Sequence, residues 1–139
     1  MKTQLTIKYK RPFFWRLLKL RFPEYDPEGT VAVSFAKFVY ANQDFSDDYK
    51  VHENTHLDQQ GHSYFGAVIW WIGYFLSKEF RFSQELEAFQ NQYTFIMKTN
   101  PSARYRSLDH FAKQLSGELY GGVATYDEAV DEIKKKILR

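Results

Sequence analysis

Hydrophobic and polar positions alternate in two short stretches near the start of the chain. Residues 3–9 carry apolar side chains at every second position, and residues 30–35 repeat this alternation before residues 38–41 continue it. A period of two is typical of strands that bury one face. We therefore predict a small N-terminal sheet, with a hairpin or two short strands after a turn-rich connector at residues 23–29.

The rest of the chain has the periodicity and the boundary residues of helices. Ser46, followed by two aspartates, predicts a helix over residues 47–60 that ends at Gly61. Residues 64–78 are apolar almost all round, which predicts a core helix or an apolar wall. Three more helices are predicted, over residues 84–98 after Ser83, 108–120 after Ser107, and 126–138 after a Thr125–Glu128 capping box.

A basic and apolar segment, residues 11–22, lies between the predicted strands. It places Arg11, Arg16, Lys19 and Arg21 among Phe, Trp and Leu residues. Such a segment fits an amphipathic helix on a membrane surface, or a helix that packs its apolar face on the domain and solvates its cations. We favour the second interpretation, because a single amphipathic signal rarely anchors a protein firmly.

Length and composition favour one globular domain of the α+β class over residues 1–139, with a small N-terminal sheet and a mostly helical remainder. The net charge of +2 gives no indication of a nucleic-acid partner. The chain has no cysteine, so transition-metal ligands must come from His, Asp and Glu.

The first ten residues lack the apolar core of a secretory signal. The longest apolar run, residues 64–76, is shorter than the ~20 residues needed to cross a bilayer. We therefore predict a cytoplasmic protein without a transmembrane helix.

The helix predicted over residues 47–60 contains the pattern His-Glu-x-x-His, formed by His52, Glu53 and His56. Helical residues four apart lie on the same face, so the two histidines can bind one metal ion while Glu53 lies beside a water on that ion. Gln59 and Gln60 follow near the same face, where they either orient a ligand or are solvated.

A catalytic zinc site usually has three protein ligands and an open position for water. The chain offers Glu85 and Glu87 in the next polar helix, and His62 ten residues after His52. The residues themselves leave these three candidates open.

The motif, together with Glu85-Leu86-Glu87-Ala88, resembles the gluzincins. These thermolysin-like metallopeptidases bind zinc through His-Glu-x-x-His and a later Glu in a Glu-x-x-Ala or Glu-x-x-Ser stretch. The resemblance covers about residues 46–98 and extends to minimal single-domain forms, some of them encoded by phages. It implies a zincin-like minimal domain around the motif helix, with zinc held by His52, His56 and Glu85. The chain departs from the pattern at Phe89, where the family often has an Asp that contacts a ligand.

The metzincin pattern, His-Glu-x-x-His-x-x-Gly-x-x-His, would instead use His62 as the third ligand. Gln59 occupies the position of its Gly, Gly61 is displaced, and the later Met-turn has only Met97, inside a predicted helix. We therefore favour Glu85.

The resemblance implies a zinc-dependent metallopeptidase that hydrolyses peptide or protein substrates. Zinc would activate a water, and Glu53 would take its proton and deliver it to the leaving amine. His110 and Tyr120 are candidates for stabilising the oxyanion, because families of this type supply such a group from the C-terminal part, and Arg81 is a further one. The alternative is a catalytically inactive zinc-binding protein that keeps the scaffold and uses its many aromatic residues for protein interaction.

Overall fold

Three strands and six α-helices make up residues 5–23 and 32–138, the part of the chain that the computed structural model describes, with side chains as far as residue 136. In chain order they are β1 (Thr6–Lys8), α1 (Trp15–Arg21), β2 (Val33–Phe35), β3 (Phe38–Tyr40), α2 (Asp47–Gln59), α3 (Tyr64–Leu76), α4 (Lys78–Thr99), α5 (Arg104–Leu115) and α6 (Tyr126–Leu138). Short 3-10 turns at Pro101–Ala103 and Glu118–Tyr120 flank α5. The predicted α+β class is confirmed.

The three strands form one mixed sheet in the order β1-β3-β2, in which β1 runs parallel and β2 antiparallel to β3. A two-residue turn joins β2 to β3, with Ala36 in the left-handed region at φ 57°. The predicted hairpin is present, and β2 lies at an edge of the sheet. Predicted strand residues 3, 4, 30 and 31, and the connector at residues 24–29, lie outside the described residues.

Two helix predictions agree closely with the structure, α2 and α6. The capping box of α6 makes both of its bonds, from Glu128 N to Thr125 Oγ1 (3.2 Å) and from Thr125 N to Glu128 Oε1 (3.3 Å). The Ser46 side chain, in contrast, makes no capping bond to α2.

The predicted start of α4 is wrong by six residues. The cap is Ser77, whose Oγ accepts from Phe80 N at 3.1 Å, whereas Ser83 lies inside the helix and donates to Phe80 O at 2.8 Å. A serine can satisfy its hydroxyl in this way within a helix, so its presence does not mark a boundary.

The helix predicted over residues 108–120 is also wrong at both ends. α5 begins at Arg104 and ends at Leu115. Gly117, with ψ 175°, interrupts the helical path, and Tyr120 lies in the separate 3-10 turn that follows.

Only one side of α3 is buried, so the expectation of a core helix is half correct. Ala67, Trp70, Trp71 and Tyr74 face the interior, while the opposite side is exposed. Within the described residues, no helix combines the length and the apolar composition needed to span a membrane.

The described residues form two apolar clusters. One joins α1, the sheet and α3, with Leu18, Phe22 and Tyr74 among its buried members. The other joins α4, α5 and α6, with Leu115 and Ile133 among its members. α2 packs against α4 and touches β2, which places the motif helix centrally.

Gln60 fastens the end of α2 to the hairpin. Its Oε1 accepts from Ala36 N at 2.7 Å, and its Nε2 donates to Ser34 O at 3.2 Å. The first turn of α3 packs against the backbone of Gln60. A Cβ added at Gly66 would lie 2.0 Å from the carbonyl oxygen of Gln60. The α2–α3 junction therefore requires glycine at this position.

We predict that Gly66→Ala lowers the free energy of unfolding by about 1–3 kcal/mol, because overpacking against a backbone carbonyl outweighs the better helix propensity of alanine. Gly73→Ala in the same helix is the control, since its Cβ would meet only the ring of Phe80, at 3.0 Å, and a side chain can move. Urea denaturation of the two variants measures the difference. Equal stability would show that the junction is not tightly packed.

Candidate metal centre

His52 and His56 of α2 and Glu85 of α4 bring three ligand atoms together. Nε2 of His52 lies 3.1 Å, and Nε2 of His56 3.3 Å, from Oε2 of Glu85. The two Nε2 atoms are 3.2 Å apart. All three side chains are buried, with at most 6% of each residue exposed.

This triangle has the dimensions of one face of a tetrahedral zinc site. Ligands placed about 2.0 Å from a tetrahedral zinc ion lie about 3.3 Å from one another. Two imidazoles and one carboxylate are a donor set found in catalytic zinc sites, and they also suit other transition metals. The residues form a buried His₂Glu group that could hold a metal ion.

The orientation of His52 is fixed by a chain of hydrogen bonds. Its Nδ1 lies 3.0 Å from Oε1 of Gln92, and Nε2 of Gln92 donates to Oδ2 of Asp48 at 2.7 Å. Because the Asp48 carboxylate accepts from the amide NH₂, the amide oxygen faces the imidazole and accepts its Nδ1–H. The lone pair of neutral His52 is therefore on Nε2, which faces the group.

Gln92 stands in for the Asp that the resemblance leads one to expect at position 89. The ring of Phe89 instead packs edge-on against His52, with centroids 4.6 Å apart. Among the described residues, the contact to Nδ1 of His52 comes from a carboxamide two helical turns after Glu85.

Gln59 holds His56 in the same tautomer. Its Oε1 lies 3.0 Å from Nδ1 of His56, while its Nε2 donates to the carbonyl of Gln84 at 3.0 Å. The hydroxyl of Tyr74 donates to Oε1 of Glu85 at 2.9 Å, which leaves Oε2 for the histidines. Each member of the group therefore has an orienting partner, as metal ligands in proteins usually do.

In the metal-free group, a positive charge on His56 balances the negative charge of Glu85. Burial lowers the pKa of His56, but the Glu85 carboxylate, close by and hydrogen-bonded, raises it overall to about 9. Burial raises the pKa of Glu85, but the charge of His56 and its hydrogen bond hold it well below its usual range. Without a metal, the imidazolium of His56 therefore neutralises Glu85.

Glu53 lies beside the group but is not part of it. Burial raises the pKa of its carboxyl, and His56 and His52 partly oppose this. Among the described residues, none makes a hydrogen bond or an ion pair with Glu53, although the residue is only 3% exposed. Its carboxylate is available to a molecule that enters the site.

A cavity of about 820 Å³ adjoins the group, and Glu53, His110 and Tyr120 all line it. Its walls come from β2, α3 and α5, and include Ala32, Val33, Ser34, Trp70, Trp71, Tyr74, Arg106, Phe111 and Gln114. The predicted site residues thus surround one space. Arg106, which was not among the predicted residues, also lines the cavity. It lies one helical turn before His110, a spacing from which it could have been predicted.

Two of the candidate third ligands are engaged elsewhere. His62 pairs with Asp58 on the surface, with 2.6 Å between Nε2 and Oδ1. Glu87 is exposed and accepts from Gln59 at 3.3 Å. Of the three candidate third ligands, Glu85 is the one that meets the histidines.

Arg81, a further oxyanion candidate from the sequence, bonds to two backbone carbonyls. Its Nη1 donates to the carbonyl of Tyr74 at 2.7 Å and its Nε to the carbonyl of Leu119 at 3.1 Å. The guanidinium joins the end of α3 to the 3-10 turn after α5 and does not line the cavity.

The chain matches no protein-family model, no curated protein and no solved structure. The evidence for its function is therefore the geometry of this site.

We predict that rising pH lowers the thermal stability of the metal-free protein and raises its affinity for metal. The pKa of His56 is raised on folding, so its stabilising contribution is complete below pH 6.5 and disappears as the pH rises through about 9. The Tm of the metal-free protein should fall over this range. Metal affinity should rise, because metal binding displaces the proton.

Thermal denaturation after chelator treatment measures the first effect, and competition titration with a zinc indicator measures the second. His56→Gln should remove the fall in Tm, and His62→Gln, which alters an exposed histidine, should retain it. A fall that persists in His56→Gln would contradict the assignment.

We predict that Gln92→Leu weakens metal binding by about 10- to 100-fold, the usual effect of removing a residue that orients a metal ligand. Gln90→Leu is the matched control, because Gln90 lies on the same helix and bonds to the carbonyl of Glu132 instead. Equal affinities in the two variants would show that Gln92 does not orient His52.

Proposed function

We propose that the protein is a zinc-dependent metallopeptidase of the gluzincin type. His52, His56 and Glu85 are its ligands, and Glu53 is its general base. One observation carries the proposal: the buried carboxylate of Glu53, which pairs with none of the described residues, lines a cavity beside a His₂Glu triangle of tetrahedral dimensions. The His-Glu-x-x-His spacing agrees with this assignment of roles.

A bound zinc ion would supply a Lewis acid that polarises a peptide carbonyl and lowers the pKa of a coordinated water to about 7. Glu53 takes a proton from the attacking water at its carboxylate and passes it to the nitrogen of the leaving amine. A carboxylate within reach of the water and of the leaving nitrogen can serve as acceptor in the first step and as donor in the second.

His110 and Tyr120 are proposed as donors to the developing oxyanion, because both line the cavity and both carry a suitable N–H or O–H. His110 is exposed at its position on α5, with Gln114 as a hydrogen-bond neighbour at 3.1 Å. Tyr120 is buried, and the 3-10 turn holds it close to the second apolar cluster.

The edge strand β2 offers a place for an extended peptide, because Ala32, Val33 and Ser34 line the cavity. In this hairpin register the peptide groups of Ser34 point away from β3. The Ser34 carbonyl already accepts from Trp71 Nε1 at 3.0 Å. A substrate strand would therefore pair at Ala32, just before β2, and the indoles of Trp70 and Trp71, which line the cavity, would contact apolar side chains.

The deciding experiment compares metal content and peptide cleavage in three variants. Glu53→Gln should keep about one equivalent of zinc and lose at least about 100-fold in turnover, since general acid–base catalysis contributes that much or more. His56→Ala should lose both zinc and turnover. His62→Ala, an exposed histidine outside the site, should keep both.

Elemental analysis gives the metal content, and mass spectrometry of a digested peptide library gives the cleavage. Folded wild-type protein that takes up no metal would end the proposal. Zinc binding without cleavage of any peptide in the library would favour the inactive zinc-binding interaction protein instead.

A further inference from the structure

Exposed apolar side chains are concentrated in one part of the molecule. Thirteen large apolar residues are exposed in the described chain, and nine of them lie in residues 13–20 and 64–76. We call these nine the apolar face; its members are Phe13, Leu17, Leu20, Tyr64, Phe65, Val68, Ile69, Ile72 and Leu76. A concentration of this kind marks an interaction surface.

The outer side of α3 is unlike that of a helix in contact with water. Phe65, Ile69, Ile72 and Leu76 follow helical spacing along it and are 52–81% exposed. No charged residue occurs between positions 64 and 77. A helix at the surface of a water-soluble domain normally carries charged residues on its outer side.

The apolar residues of α1 continue this surface. Arg21, at the end of α1, donates from Nε to the carbonyl of Phe75 in α3 at 2.8 Å. At the other end, the ring of Phe13 contacts Phe35 (centroids 5.1 Å apart), which in turn contacts Tyr64 (6.1 Å). The two sets of exposed residues thus adjoin at both ends.

Positive charge borders the apolar face. Residues 5–23 contain six basic residues and no acidic one; the basic residues are Lys8, Lys10, Arg11, Arg16, Lys19 and Arg21. Arg11, Arg16 and Lys19 line a shallow pocket with Trp15 and Leu20. Apolar side chains beside clustered cations are complementary to a surface that is both apolar and anionic.

We propose that the apolar face binds the surface of an anionic membrane, with its apolar side chains in the headgroup region and the cations of α1 against lipid phosphates. Insertion and electrostatic attraction together supply the two signals that stable peripheral binding requires. A second copy of the chain fits the surface less well, because a symmetric pairing would bring the cations of the two copies together.

Vesicle co-sedimentation tests the proposal, with phosphatidylcholine vesicles compared with vesicles in which about a third of the lipid is phosphatidylglycerol. Wild-type protein should bind the anionic vesicles, and added salt should weaken the binding. Removing two cations, in Arg16→Gln with Lys19→Gln, should weaken it about 25-fold, since each contributes roughly a factor of five near such a surface.

Phe65→Ser should weaken binding about tenfold, because an inserted aromatic side chain is lost. Leu20→Ser repeats this test on α1, where the side chain is 79% exposed and its loss does not threaten the fold. The matched controls are Tyr105→Ser, which is 72% exposed on α5, and the exposed pair Lys98→Gln with Lys134→Gln. These controls should bind as the wild type does.

Equal binding to neutral and anionic vesicles, or no binding to either, would overturn the proposal. So would variants that bind no worse than their controls. If the protein binds no vesicles but forms a dimer, and Phe65→Ser dissociates that dimer, the apolar face would be assigned to contact with a second copy. Metal content should equal that of the wild type in every variant, so the result does not depend on the proposed peptidase activity.

Discussion

The buried carboxylate of Glu85 is the constraint on which the arrangement of the helices depends. Moving a carboxylate out of water costs several kcal/mol unless positive charge and hydrogen bonds compensate. Here the compensation comes from two other helices, with His52 and His56 on α2 and Tyr74 on α3. The relative positions of α2, α3 and α4 are therefore fixed at one point, and that point is the candidate metal centre.

The same contacts explain why the group needs a cation at its centre. Gln92 and Gln59 accept from the Nδ1 atoms of the two histidines, so the neutral rings direct lone pairs from Nε2 toward the Glu85 oxygen. Three electron-rich atoms about 3 Å apart repel one another unless something positive lies among them. A proton on His56 is sufficient in the metal-free protein, and a metal ion satisfies all three atoms at once.

Local spacing predicted one half of the site, and tertiary structure supplied the other. His52, Glu53 and His56 share one helix, so their relation follows from helical periodicity. Glu85 was selected by resemblance, because spacing within its own helix says nothing about which side faces α2. Gln92 was not foreseen, since its role depends on how α4 lies against α2. The start of α4 was misplaced because Ser77 and Ser83 are equally suitable caps from sequence, and packing decides between them.

The exposed side of α3 shows that an apolar sequence does not by itself predict which side chains are buried. A helix without charged residues is expected to have apolar surroundings on every side. The sequence does not say whether the same chain or another molecule supplies them. The described part of the chain buries Trp70 and Trp71 and leaves Phe65 and Ile72 exposed. The apolar composition of that exposed side is the observation on which the proposed membrane contact rests. The cations beside it give the sign of charge that the proposed partner would carry. Trp70, Trp71 and Tyr74, which line the cavity beside the candidate metal centre, lie on the opposite, buried side of α3.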